Sequence, residues 1–224
     1  MTDTDLSPTS GTGTGTAAVD GRQRIMDAAA GSFLRQGFAR SSLRQIAAAV
    51  GMKAGSLYYH FASKDDLLEA ILRRGIAVMV DAFDATEALV RPTAAPARSA
   101  CDRGADPRRR VEAHVRAHLA ALFEHGPYTA AHVSTFHTAP DGVRAAIVPV
   151  RDAYEALWAG LLQDLVDDRA LRCDIDLGIT RLALFGAMNS TIEWFDPEKG
   201  SLDHVAAVIT EQFWCGVGAD GDRP

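Results

Sequence analysis

Residues 41–64 read SSLRQIAAAVGMKAGSLYYHFASK. Ser41 or Ser42 can N-cap a short helix over Leu43–Val50; Gly51 breaks the chain, and a second short helix follows over about Ala54–His60. Leu43, Ile46, Ala47, Val50 and Leu57 supply the apolar inner side. Two short helices split by one glycine have the helix-turn-helix layout, in which the first helix crosses the DNA backbone and the second enters the major groove. The second opens with Ala54, Gly55 and Ser56, small enough to let a helix end approach base edges, and Lys53 directly precedes them. Tyr58, Tyr59, His60 and Lys64 can donate to phosphates, and a tyrosine ring can touch a thymine methyl. With Ser41, Ser42 and Arg44 these are the expected DNA contacts; Tyr58 reads equally well as a packing residue.

The charge distribution agrees with this reading. The 224-residue chain carries a net charge of −6, but residues 21–74 hold +5 and the remainder −11. A basic segment on an acidic body is the electrostatic footprint of local phosphate binding, and the acidic body would be repelled by DNA. Arg73 and Arg74 read as a solvated face rather than as phosphate contacts. A composition of 47% hydrophobic and 23% charged residues is ordinary for a globular protein and excludes a fibrous or wholly disordered chain. No apolar run approaches the roughly 20 residues of a membrane helix, and the first 20 residues lack the apolar segment of a secretory signal. Cys101, Cys173 and Cys215, far apart and without CxxC spacing, fit a reducing cytoplasm.

Outward from the motif the period is helical throughout. Ile25, Ala29 and Phe33 recur at i, i+4, i+8 ahead of Gly37, a C-cap candidate. Ser63 caps a long fourth helix from Lys64, with Asp65 and Asp66 in its first turn. Residues 91–107, with three prolines, read as a loop and as the best boundary candidate. Five further helices are predicted over about 107–125, 127–138, 148–169, 176–195 and 202–216, with Pro140-Asp141-Gly142 as a turn between the second and third of these. No segment alternates with period two for long enough to make a strand. The expected fold is all-α, with about nine helices. The expected organisation is a disordered tail (1–20), a helix-turn-helix domain (21–66), a helical ligand-binding and dimerisation domain (67–217) and a second disordered tail (218–224).

Residues 22–75, centred on QGFARSSLRQIAAAVGMKAGSLYYHFASKDDLLEAIL, resemble the DNA-binding domain of the tetracycline-repressor (TetR) family. The combination Gly37-Phe38, Ile46-Ala47, Val50-Gly51, Gly55, Leu57-Tyr58, His60-Phe61 and Ser63-Lys64 carries the resemblance over about a quarter of the chain. It departs at Lys53-Ala54, where family members commonly carry a polar residue and then Lys, so no operator sequence transfers. The resemblance implies an all-helical homodimer that binds double-stranded DNA at a pseudo-palindromic operator, holds a small-molecule effector, and needs no cofactor. It also implies that the last two helices form the dimer interface, for which Leu182, Leu184, Phe185, Met188, Val205, Ile209, Phe213 and Trp214 offer apolar area.

Within the last third, NSTIEWFDPEKGSL (residues 189–202) resembles a branch of the family that regulates fatty-acid and sterol catabolism, several members of which respond to acyl-CoA thioesters. The matching residues are Asn189, Trp194-Phe195, Pro197, Gly200 and Leu202, with Arg151, Tyr154-Glu155 and Trp158 earlier; Phe195 replaces the usual Tyr and lacks its hydroxyl. The effector that this implies is an acyl-CoA or a hydrophobic acid. Trp158, Phe136, Met188 and Trp194 read singly as core and collectively as a cavity lining, completed by His114, His118, Arg151, Tyr154 and Asn189. Arg151, if buried, needs either a ligand anion or a partner such as Asp152 or Glu155. The spacing of His114 and His118 would suit a metal, but no acidic or Cys ligand matches it, so polar lining or surface is expected and no metal. Two other classes stay open: a DNA-bound regulator that senses a partner or oxidation instead of a small molecule, and a metal-dependent enzyme, for which no nucleophile–base motif is present.

Overall fold

Four N-caps fix where helices begin. In the computed structural model, which describes residues 13–91 and 106–219, Ser42 and Gln45 form a reciprocal capping box at the start of α2 (Leu43–Ala49). Ser63 accepts from Asp66 N–H at the start of α4 (Lys64–Val90). Asp106, followed by a proline in the first turn, opens α5 (Pro107–Phe123), and Asp176 accepts from Ile179 N–H to open α8 (Leu177–Trp194). The other helices are α1 (Gly13–Gln36), α3 (Ala54–His60), α6 (Pro127–Thr135), α7 (Asp141–Asp167) and α9 (Leu202–Val217). A 3-10 turn over Phe136–Thr138 follows α6. Among the described residues there are nine α-helices and no strand, only an isolated bridge between Leu171 and Gly218. The all-α expectation holds.

Four expectations need correction. First, helical backbone already begins at Gly13, inside the segment expected to be a disordered tail. Second, Gly218 and Ala219 do not belong to a free tail: Ala219 N–H donates to Ala170 C=O (3.0 Å) and Arg172 N–H to Val217 C=O (3.0 Å). The rest of both tails (1–12, 220–224), most of the proline-bearing loop (92–105) and Cys101 lie outside the described residues. Third, the predicted sixth helix ends at Thr135 and tightens into the 3-10 turn. Fourth, α7 begins at Asp141 rather than near Val148, so the expected turn at Pro140-Asp141-Gly142 is the helix's own N-cap and first turn. Pro149 therefore lies inside a helix, where it removes a hydrogen bond. Val143 and Ile147 before it and Tyr154 and Trp158 after it are all buried, and that continuous apolar face outweighs the missing bond. Arg73 Nη2 donates to Ala146 C=O (3.1 Å), three residues before the proline, which ties α4 to α7.

One core runs through both halves of the molecule. α4 contributes Leu67, Leu68, Ile71, Leu72, Ile76, Met79 and Phe83, all buried, along a helix of roughly 40 Å at 1.5 Å per residue. The boundary expected at 66/67 thus falls within the first turn of a continuous helix. α6 packs against both α1 and α4. Its approach to α4 is close: a Cβ on Gly75 would lie 2.6 Å from Tyr128 C=O and 3.0 Å from His132 Cβ.

Candidate functional sites

The helix-turn-helix is anchored from beneath and open above. Leu57 is fully buried and Ile46 and Ala47 nearly so. Gly51 (φ +71°) takes the left-handed conformation that turns α2 into α3. This fixes α3 with Gly55, Ser56, Tyr58 and Tyr59 outward, the two tyrosines 56% and 83% exposed, and with Lys53 and Arg44 exposed beside them. Tyr58 is therefore no packing residue. His60, half-buried, lies against the backbone of α1 at Gly21.

Two of the expected DNA contacts are turned inward. Ser41 is 3% exposed, with its hydroxyl bonded to Ser32 Oγ and Gly37 C=O. Lys64 Nζ donates to the carbonyls of Phe38 (2.9 Å) and Ser41 (3.0 Å) and lies 4.1 Å from the Phe38 ring centroid. The Phe38 carbonyl already accepts from Ser41 N–H (3.2 Å), and a lysine at the start of α4 adds a second donor to it while also reaching the Ser41 carbonyl. Ser42 is exposed but is spent on capping α2.

In the C-terminal domain a cavity of about 460 Å³ lies among α4, α6, α7 and α8. It brings together five residues expected there: His118, Phe136, Arg151, Tyr154 and Asn189. His118, on α5, is wired on both sides. Asn189 Oδ1 can only accept, so His118 Nε2–H donates to it (2.9 Å), and Nδ1 then accepts from Tyr154 O–H (2.9 Å). Burial pushes the His118 imidazole down to about 4, against the Asn189 bond, and pushes the Tyr154 phenol well above its ordinary range.

Four expected ligand residues lie elsewhere. His114 belongs to a polar cluster, donating from Nε2 to Glu87 Oε2 (2.9 Å) while Arg110 bridges Glu87 and Asp164. Burial tends to raise the Glu87 carboxyl, but the bonds from Arg110 and His114 outweigh it and hold Glu87 below its ordinary value. Trp158 and Met188 are core residues behind the wall, and Trp194 is 60% exposed on the outer side of α8. Phe195 packs edge-on against Phe123, and a Cβ on Gly200 would meet its ring at 2.9 Å, so the Trp-Phe-x-Pro-x-x-Gly stretch builds a turn. Among the described residues no three His, Cys, Asp or Glu side chains are grouped to hold a metal.

Sequence reasoning missed several lining residues, chiefly Met79, Phe185 and Glu193. His132 sits one helical turn before Phe136, and both line the cavity. Phe185 was expected at a dimer interface, as were Leu184, Met188, Ile209 and Trp214, but these last four are buried within their own protomer. The face left open on α8 consists of Ile179, Leu182, Ala183, Gly186, Ala187, Ser190 and Trp194, so Leu182 lies where it was expected, with Val208 exposed on α9.

The comparisons cover both halves. Residues 25–71 match the family described as "Bacterial regulatory proteins, tetR family", and residues 104–217 match "Tetracyclin repressor-like, C-terminal domain". The HTH-type transcriptional repressor KstR2 of Rhodococcus jostii is 27% identical over 177 residues, spanning 79% of this chain and 80% of the relative. A regulatory protein of the tetR family from Rhodococcus RHA1 has a similar fold (TM-score 0.73, 20% identity, 88% of this chain and 97% of the other). So does the fatty acid degradation regulator FadR from Bacillus halodurans (TM-score 0.68, 18% identity, 90% and 96%). No helix among the described residues is long and apolar enough to cross a membrane.

Proposed function

The chain belongs to the tetracycline-repressor family of transcriptional regulators, and from that premise we propose that it is a ligand-responsive dimeric repressor acting on DNA in the cytoplasm. The observation that carries the proposal is the continuity of α4 and α6 from the cavity to the helix-turn-helix. α6 lines the cavity with His132, while its Tyr128 hydroxyl donates to Asp27 on α1 and accepts from Gln23 (2.6 Å). An occupant that displaces α6 therefore moves α1, and with it α3. Ligand biases the molecule between two states, one with the recognition helices at operator spacing, through its differential affinity for them.

In this reading Arg44, Lys53, Gly55, Ser56, Tyr58 and Tyr59 meet DNA, His60 stands at the edge of the contact, and Ser41, Ser42 and Lys64 hold the frame. Two copies pair through the open faces of α8 and α9, where the small residues Ala183, Gly186 and Ala187 permit close helix approach. The effector is a hydrophobic acid or its acyl-CoA thioester. FadR, a fatty acid degradation regulator, supports an acid of this kind, and KstR2, a ketosteroid transcriptional regulator, supports a hydrophobic body.

Fluorescence anisotropy on the intergenic DNA beside the protein's own gene tests this. We expect tight, salt-sensitive binding. Lys53→Glu should weaken it about tenfold or more and flatten the salt dependence by about one unit of slope per protomer, with the dimer intact. Unchanged affinity in Lys53→Glu would remove the docking described here.

A further inference from the structure

One corner of the cavity differs chemically from the rest. Phe136 is its hub: the Arg151 guanidinium lies 4.2 Å from its ring centroid, and the His132 and His137 rings approach to 5.8 and 5.6 Å. All four residues line the cavity. Arg151's hydrogen bonding among the described residues is one long contact, 3.4 Å to Glu155 Oε1. The other Glu155 oxygen receives Arg181 Nη2 at 3.0 Å. Two guanidiniums thus share one carboxylate, which leaves Arg151 with a single long contact; Glu193, exposed near the end of α8, is the other carboxylate of the lining. His132 is 5% exposed, yet its Nδ1 has no hydrogen-bond partner. Burial first, then Arg151 and the neighbouring histidines, push its imidazole down to about 3, so at neutral pH it is an uncharged donor–acceptor. Away from this corner Ile76, Met79, Val133, Phe185 and Ile192 supply apolar lining, beside the bonded His118, Tyr154 and Asn189.

We propose that this corner is an oxyanion subsite, and that the cavity takes an amphipathic monocarboxylate whose carboxylate pairs with Arg151 and is hydrogen-bonded by His132 while its apolar body lies toward Met79 and Phe185. A carboxylate offers the planar pair of oxygens that a guanidinium fork matches, and it would replace the long contact to Glu155 with charge-assisted bonds. A thioester carbonyl has no charge and cannot do this. The proposal therefore selects the free acid over the thioester, and it rests on the reading of this cavity as the effector site.

Titration calorimetry of the full chain at pH 7.5 with decanoate, decanol and decanoyl-CoA tests it. Decanoate is expected to bind the unaltered protein more tightly than decanol does. Arg151→Gln should weaken decanoate about tenfold or more, leave decanol unchanged, and be partly rescued by Arg151→Lys. Glu155→Gln, which frees both guanidiniums, should tighten decanoate. Equal decanoate affinity in Arg151→Gln, or equal affinity for decanoate and decanol, would overturn the subsite. Binding of decanoyl-CoA alone would overturn it while keeping the cavity as an effector site; binding of none of the three would remove both. Thermal melting of Arg151→Gln separates loss of the subsite from loss of the fold.

Discussion

At the scale of single residues, the chemistry depends on groups kept neutral by burial. His118 titrates at about 4 in the folded protein, against an ordinary value near 6.5. Between those values the unfolded chain binds a proton that the folded chain refuses, so stability rises with pH across the window and falls as pH drops through it. The protein should therefore lose on the order of 2 kcal/mol between pH 7 and pH 5 from this residue alone. Urea unfolding at the two pH values measures it, and His118→Gln should flatten the dependence by a similar amount. An unchanged slope would mean that His118 is reached by water. The sequence made His118, Tyr154 and Asn189 visible as candidates, since polar residues at helical spacing on apolar helices invite the question. It could not reveal that they bond one another, because they sit on three different helices. Lys64 failed for the opposite reason: a lysine beside a recognition helix looks like a phosphate donor until the carbonyls of Phe38 and Ser41 are seen to occupy it.

At the scale of elements, the contact between α4 and α6 has no slack. Placing alanine in a helix in place of glycine ordinarily gains up to about 1 kcal/mol. At Gly75 the added methyl would press on the Tyr128 carbonyl, which belongs to a helix backbone and cannot swing aside. Overpacking of this kind costs about 1–3 kcal/mol, so the expected sign of Gly75→Ala is destabilising. Because the same displacement moves His132, the substitution should also weaken decanoate binding, and calorimetry beside a melting curve reads both. A rise in melting temperature would show that the helices yield. Helix existence was legible from caps and period almost everywhere. The start of α7 was the exception: Pro140-Asp141-Gly142 reads locally as a turn, and only the buried face on either side of Pro149 shows why the helix begins at Asp141 and runs through the proline.

At the scale of the whole molecule, charge and apolar surface are segregated. The +5 segment surrounds the helix-turn-helix, and the open apolar face lies on α8 and α9 at the far end of the sequence. Ile179 is 63% exposed, a large apolar surface for a helix meant to face water. Ile179→Asp is expected to give monomers in sedimentation velocity at micromolar concentration and to weaken operator binding about tenfold or more, since each half-site would then be met alone. A dimer that persists would move the interface elsewhere. The family-level fold was readable from residues 22–75, but which apolar residues face a partner was not. α8 is apolar on every side, and only the packing of Leu184 and Met188 inward leaves Ile179 and Trp194 outward. The positions of the three indoles have an optical consequence. Trp158 and Trp214 are buried and Trp194 stands in water, so a single emission spectrum contains two blue-emitting interior chromophores and one red-emitting surface chromophore. Trp158 stacks edge-on with Phe185 at the cavity wall, while Trp194 marks the open face, which gives ligand and association separate, unlabelled reporters in the same cuvette.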